Sequence, residues 1–166
     1  MEKGVLSGQG ECVEDFVEKY SKMVYRLAVA QMKNKSDADD VFQEVFLRYI
    51  KKQPVFKSQE HEKAWFIRVT LNCCASKRSS VWAKRVLPLE ESLAYEDFYS
   101  EEHNTLLREL QKLPQKYSSV IHLFYYEEMS IEEISSATGV SRAAVKTRLS
   151  RARSKLREIL KEEDYV

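Results

Sequence analysis

Residues 130–158 read SIEEISSATGVSRAAVKTRLSRARSKLRE, and the parsing of this stretch decides the fold. Ser130 to Glu133 have the form of a capping box, in which the serine hydroxyl accepts from the Glu133 amide and the Glu133 carboxylate reaches back to the Ser130 amide. A short helix is predicted to follow, with Ile131 and Ile134 inward and the small Ser135 where a second helix crosses closely. Gly139 then supplies the positive φ that ends a helix, and Ser141 caps the next one. In that second helix Val145, Leu149, Ala152, Leu156 and Leu160 recur at steps of three and four, which makes one apolar stripe. Two helices about a glycine turn at this spacing form a helix-turn-helix.

The second helix is also where the charge collects. The 166-residue chain carries a formal net charge of only +1, yet seven Lys or Arg fall between Arg142 and Arg157 with no acid among them. A charge run is ordinarily a solvated face. On the second helix of a helix-turn-helix it has a use, because each cation that neutralises a phosphate releases counterions. Lys146, Thr147 and Ser150 are placed to meet base edges. Arg142, Arg148 and Arg151 lie nearer the phosphates, with Ser141 beside them at the helix start.

Outward from there, glycine and proline divide the chain. Gly4, Gly8 and Gly10 sit in the first ten residues, Gly139 is the one glycine after them, and the prolines are Pro54, Pro88 and Pro114. So few turn residues predict helix almost throughout. Val13, Phe16, Val17, Tyr20, Val24 and Leu27 predict a helix over 12–33. Ser36 is read as the cap of a helix reaching Lys52, with Ala38, Val41, Phe42, Val45, Phe46 and Tyr49 inward. A third helix is expected over 61–79. The stretch 90–104, EESLAYEDFYSEEHN, holds six acids and no Lys or Arg, and 81–103 reads as an acidic linker. Helical spacing resumes at Leu106. The expected fold is all-α: a flexible tail (1–11), a helical domain (12–80), the linker, and a helix-turn-helix domain (104–162).

Composition narrows the function. With 43% hydrophobic and 32% charged residues the chain folds, and no run of 18 apolar residues spans a membrane. The first residues lack the apolar core of a secretory signal, so a cytoplasmic location is expected. Cys12, Cys73 and Cys74 do not pair or complete a metal site. They read as small buried or half-buried thiols, with a redox role for Cys73 or Cys74 as the alternative. No nucleophile–base pair, phosphate loop or metal cluster is present, so neither an enzyme nor a cofactor is expected. The polar face Asp39, Asp40, Gln43 and Glu44 is either a solvated surface or a dock for a basic partner. Residues 61–85 interleave aromatics with Arg68, Lys77, Arg78, Lys84 and Arg85, a pattern that holds single-stranded bases, although Trp65 reads as core.

Three segments, DADDVFQEVFLRYIKK (37–52), AWFIRVTLNCCASKR (64–78) and the block from Leu110 to Arg157, together resemble the bacterial RNA polymerase sigma factors of the extracytoplasmic-function group. The resemblance covers about residues 12–160. It implies that the first domain corresponds to sigma region 2, a three- to four-helix bundle, and the second to region 4. It further implies that Asp39, Asp40, Gln43 and Glu44 dock on the clamp helices of core RNA polymerase, with region 4 on the flap. Phe56, Lys57 and Ser58 in the loop, with Lys63, Arg68, Asn72, Lys77 and Arg78 on the third helix, would hold the melted −10 strand. The helix-turn-helix would read the −35 element as duplex. An anti-sigma factor is a further partner that the resemblance implies. Many relatives carry an acid where this chain has Ser76. The competing function is an autonomous helix-turn-helix regulator that binds duplex DNA without polymerase.

Overall fold

The computed structural model describes residues 12–84 and 108–164, and every regular element among them is helical. The first group comprises α1 (Val13–Gln31), α2 (Lys35–Lys52) and α3 (Gln59–Lys84). The second comprises α4 (Gln115–Ile121), a π-helical turn (His122–Tyr126), α5 (Ile131–Thr138) and α6 (Arg142–Asp164). The all-α expectation holds. The tail 1–11 and most of the expected linker lie outside the described residues. α3 runs on to Lys84, past both the expected helix end at 79 and the expected linker start at 81.

Local chemistry sets the helix ends. Asn34, not Ser36, caps α2: its Oδ1 accepts from the Asp37 amide at 2.8 Å. Asn34 has the extended backbone a cap needs, and Ser36 lies one residue inside the helix. At the other end Gln53 adopts φ 45, a left-handed stop just before Pro54. α3 begins two residues earlier than expected because Ser58 Oγ accepts from the His61 amide at 3.1 Å.

The three helices of the first group close on a ring cluster centred on Phe66, which is 0% exposed. Its ring centroid lies 4.5 Å from Tyr20, 5.0 Å from Trp65, 5.3 Å from Tyr49 and 5.6 Å from Phe46. Trp65 is half-buried in the same cluster, so the core reading for it stands. Beside the rings a buried carboxylate ties α3 to α1: Glu62 accepts from Lys19 Nζ at 2.9 Å and from the Tyr20 hydroxyl at 2.6 Å.

The two helical groups are docked on each other, which the sequence did not announce. α3 packs on α5, α1 packs on α4, and buried apolar residues from both groups form one contiguous cluster. Polar links cross the junction. Gln31 Nε2 donates to Ser118 Oγ at 3.0 Å, and Gln111 Nε2 donates to the carbonyls of Val29 and Met32 at 2.7 and 3.0 Å. Arg26 Nη2 meets Glu127 at 3.1 Å, and Lys63 Nζ donates to the Glu127 carbonyl at 3.4 Å. Arg68 donates from Nη2 to Ser136 O at 2.9 Å and from Nε to Ala137 O at 3.1 Å.

Glu127 is the buried charge of this junction. Burial alone would raise its pKa, but the His122 imidazole, 3.3 Å away, and the Arg26 guanidinium outweigh that and hold the carboxyl below its ordinary value. A lowered folded pKa stabilises the docked state at neutral pH. That contribution is lost as pH falls from the ordinary carboxylate value through the lowered one.

Cys73 is 4% exposed and Cys74 is fully buried, as the thiol reading expected. Burial pushes Cys74 up to about 12, so its thiolate, the reactive form, is scarce at neutral pH. Two outcomes follow. Phe66→Ala should destabilise the chain by about 3–5 kcal/mol in denaturant unfolding, because it empties the ring cluster. In alkylation at neutral pH read by mass spectrometry, Cys74 should label only after the protein is unfolded, while half-buried Cys12 labels in the native state.

Candidate nucleic-acid interface

The helix-turn-helix forms as its sequence dictates. Ser130 Oγ accepts from the Glu133 amide at 3.0 Å and Glu133 Oε1 accepts from the Ser130 amide at 2.8 Å, so the capping box is closed both ways. α5 ends at Gly139, with φ 80 and its amide donating to Ser135 O at 2.9 Å. A Cβ at Gly139 would meet nothing within 4 Å, so conformation and not space demands the glycine. Ser141 Oγ then accepts from the Ala144 amide at 3.1 Å and starts α6. Val145, Leu149 and Ala152 are buried and fix the rotation of α6 about its axis. Leu156 is half-buried and Leu160 is 39% exposed, so the stripe fades one turn before the sequence pattern does.

That rotation turns Ser141, Arg142, Lys146, Thr147, Ser150 and Arg151 to solvent, with Arg148 half-buried beside them. Thr147 Oγ1 donates back to Ala143 O at 3.1 Å, and the residue remains exposed. Arg142 approaches Glu132 at 3.7 Å, but both side chains are more than half exposed and the contact is weak. Not every cation of the run points outward. Arg153 donates from Nε to the Tyr125 hydroxyl at 2.8 Å and stacks over Phe124 and Tyr125, so it pins α6 to the preceding turn. Lys155 lies over the Tyr117 ring. The outward remainder is a convex cationic face of the width a major groove admits.

Along α3 and its loop the expected strand-holding residues fall into different settings. Phe56 is buried, with centroids 6.0 Å from Phe16 and Trp65 and its edge on His61. Its ring anchors the loop to the core, so in this arrangement little of it is open to solvent. Ser58 is spent as the α3 cap. Lys57 and Asn72 are exposed. Lys63 and Arg68 are engaged by the second helical group as described. Lys77 is drawn to α2, 2.8 Å from Asp40, and Arg78 donates to Gln115 Oε1. The eight residues are therefore not one free surface: Lys57 and Asn72 are open, and the others are held by the protein itself.

The polar face of α2 is also more self-satisfied than it reads. Asp39 accepts from Lys35 at 2.7 Å and from the Tyr25 hydroxyl at 2.7 Å, which with burial raises the phenol pKa. Glu44 pairs with Arg48 at 2.9 Å, and Gln43 is exposed. Next to them Leu47 (52% exposed), Ile50 (46%) and, in the loop, Val55 (74%) leave an apolar patch that the sequence reading missed. The signal was present: Leu47 and Ile50 lie off the inward stripe of α2, so α2 carries more apolar residues than one buried face uses. Among the described residues no cluster of three His, Cys, Asp or Glu could hold a metal, and no helix is long and apolar enough to cross a membrane.

Comparison with known proteins finds two family matches along the chain. The family Sigma-70 region 2 matches residues 16–84, and Sigma-70, region 4 matches residues 103–156. The RNA polymerase sigma factor SigV of Bacillus subtilis is 31% identical over 156 residues, covering 92% of this chain and 91% of the relative. The ECF RNA polymerase sigma factor SigW of the same organism is 27% identical, covering 96% and 95%. Among solved structures, the sigma factor RpoE bound to the anti-sigma factor NepR, from Bartonella quintana, aligns with a TM-score of 0.75 at 21% identity, over 89% of this chain and 96% of that one. CnrH, in complex with the cytosolic domain of CnrY, aligns at 0.67 and 22% identity over 93% and 91%. At these identities the two structures speak to the fold.

The turn between α5 and α6 makes a direct test. Gly139→Ala should cost about 1–2 kcal/mol of stability, from the left-handed backbone alone, and should leave helical content unchanged by circular dichroism. A clash-driven loss well beyond that range would contradict the open space found around the glycine.

Proposed function

The chain belongs to the sigma-70 family of RNA polymerase sigma factors, in its ECF group, and directs transcription initiation at promoters; from that premise we propose how its surfaces divide the work. α6 enters the major groove of the −35 element. Lys146, Thr147 and Ser150 meet base edges, and Arg142, Arg148 and Arg151, with Ser141 at the helix start, hold phosphates. The observation that carries this is the exposed cationic face of α6, set outward by buried Val145, Leu149 and Ala152. Direct hydrogen bonds to base edges need such a rigid helix, since one good bidentate contact is worth about 1–3 kcal/mol of discrimination.

The first helical group (residues 12–80) holds the melted −10 strand on Lys57, Lys63, Arg68 and Asn72. Unstacked bases need cations for their phosphates and donors for their edges, and this segment offers both. Core polymerase docks on Asp39, Asp40, Gln43 and Glu44 of α2, with exposed Leu47 and Ile50 extending the contact. The protein is read as cytoplasmic and non-catalytic: it positions DNA for the polymerase's chemistry. The likeness to RpoE, whose structure holds the anti-sigma factor NepR, supports an anti-sigma partner here as well. The autonomous regulator finds no support, because the first half of the chain matches region 2 and not a ligand-sensing domain.

Initiation from a randomised promoter library with core RNA polymerase tests this division. Lys146→Ala should change which −35 sequences are selected, relaxing discrimination by about 1–3 kcal/mol at one position. Asp40→Ala should weaken binding to core polymerase and leave the selected sequences unchanged. Were both changes to act equally on polymerase affinity, the assignment of surfaces would be wrong.

A further inference from the structure

A cleft lies where the end of α1, the later turns of α3 and the start of α4 come together, and the surfaces assigned above make no use of it. Its volume is about 320 Å³, and Gln31, Lys33, Arg78, Gln111, Lys112 and Ser118 help to line it. We propose that this cleft binds a small nucleoside phosphate, with Lys33, Arg78 and Lys112 on the phosphate and the side-chain amides on the nucleoside.

Charge is the first argument. Among the described residues, three cations line the cleft and no acid does. Lys112 meets Glu109 at 3.0 Å, so its charge is shared. Lys33 is exposed, and among the described residues no carboxylate pairs with it or with Arg78. Arg78 is half-buried. Its Nη1 donates to Gln115 Oε1, a neutral acceptor, and its Nη2 is buried with no hydrogen-bond partner among the described residues. Burial pushes the guanidinium pKa below its ordinary value. A guanidinium withdrawn from water ordinarily sits beside an acid, because desolvating an unpaired charge is costly. Arg78 has only an amide oxygen in that place. A phosphate supplies the counter-charge and suits the planar fork of the side chain.

The polar wall is the second argument. Gln31 is 7% exposed; its Nε2 donates to Ser118 Oγ, and its Oε1 is buried without a partner. Gln111 uses Nε2 on the Val29 and Met32 carbonyls, which leaves the Oε1 acceptor of the same amide. Buried acceptors of this kind are ordinarily paired. An ionised phosphate is chiefly an acceptor itself and does little for an amide oxygen. A base and a ribose carry the N–H and O–H donors that these amides take. Leu113 and Pro114 add apolar surface for a ring. The volume falls at the small end of ligand pockets, about 300–1,000 Å³, which suits a single nucleotide and not a longer chain.

The full chain is titrated by calorimetry, at one ionic strength, with the common nucleoside diphosphates, the matching nucleosides and inorganic phosphate. Thermal unfolding is followed beside each titration. At least one diphosphate should fill a single site, more tightly than its nucleoside and than inorganic phosphate, and should raise Tm with concentration. Lys33→Gln and Arg78→Gln should each weaken that binding about tenfold. Lys22→Gln, which removes an exposed cation elsewhere on α1, should not. Because Lys33 is exposed, its variant keeps the test decisive even where Arg78→Gln fails to fold. No saturable binding by any diphosphate overturns the proposal, and so does binding that Lys33→Gln leaves unchanged. Inorganic phosphate binding as tightly as the best diphosphate also overturns it, because the amides then select nothing. A single-stranded oligonucleotide is titrated as well. If Lys33→Gln weakens its binding while no diphosphate binds, the cations hold nucleic-acid backbone and the small-ligand site is refuted.

Discussion

A buried carboxylate must be met by partners, because removing an ion from water costs several kcal/mol unless charge and hydrogen bonds replace the lost hydration. Glu127 imposes that constraint. Its partners come from separate stretches of chain: Arg26 from α1, His122 from the π-helical turn, and Lys63 from α3 on its carbonyl. Arg26 and Lys63 reach Glu127 only while the second helical group sits on the first. The next residue, Glu128, takes φ 54, an unfavoured backbone for a non-glycine, and leads the chain toward the Ser130 cap. Packing on both sides holds that conformation in place. The position of the helix-turn-helix on the rest of the molecule thus depends on how one acid is satisfied.

Charge in this protein is organised at two scales. Read along the chain, acids and bases separate into blocks. In three dimensions the α2 acids are largely answered from within: Lys35 takes Asp39, Arg48 takes Glu44, and Lys77 takes Asp40. These are exposed pairs and add little to stability. They do reduce the net field of α2, so a partner meets a mosaic of paired ions around Leu47 and Ile50 more than an acidic surface. On α6 the reverse holds. Arg153 and Lys155 are turned onto aromatic rings, and among the described residues the acid that faces the outward cations is Glu132, 3.7 Å from Arg142.

What could be read from the sequence was local. The Ser130–Glu133 capping box, the Gly139 turn and the Val145–Leu149–Ala152 stripe depend on residues within four positions of each other, and all form as expected. Asn34 and Ser36 were both acceptable caps, and backbone conformation rather than residue type chose between them. Phe56 shows the next difficulty. An aromatic in a loop beside cations looks like a stacking platform, but the distant Phe16 and the neighbouring Trp65 claim it for the core. The docking contacts were beyond reach. Arg68 binds backbone carbonyls of α5, and a carbonyl carries no residue identity, so no pattern of side chains announces the contact.

The π-helical turn at His122–Tyr126 has an evolutionary meaning. It closes with the Glu127 amide on the His122 carbonyl at 3.2 Å, five residues back where an α-helix would use four. It therefore holds one residue more than regular winding needs. A deletion of a single residue here would let the helix rewind without a break. Residues downstream would keep nearly the same face toward α4, because the wide turn is what absorbs the extra residue. A lineage could thus gain or lose one residue in this turn through one codon, with the helices on either side keeping their places.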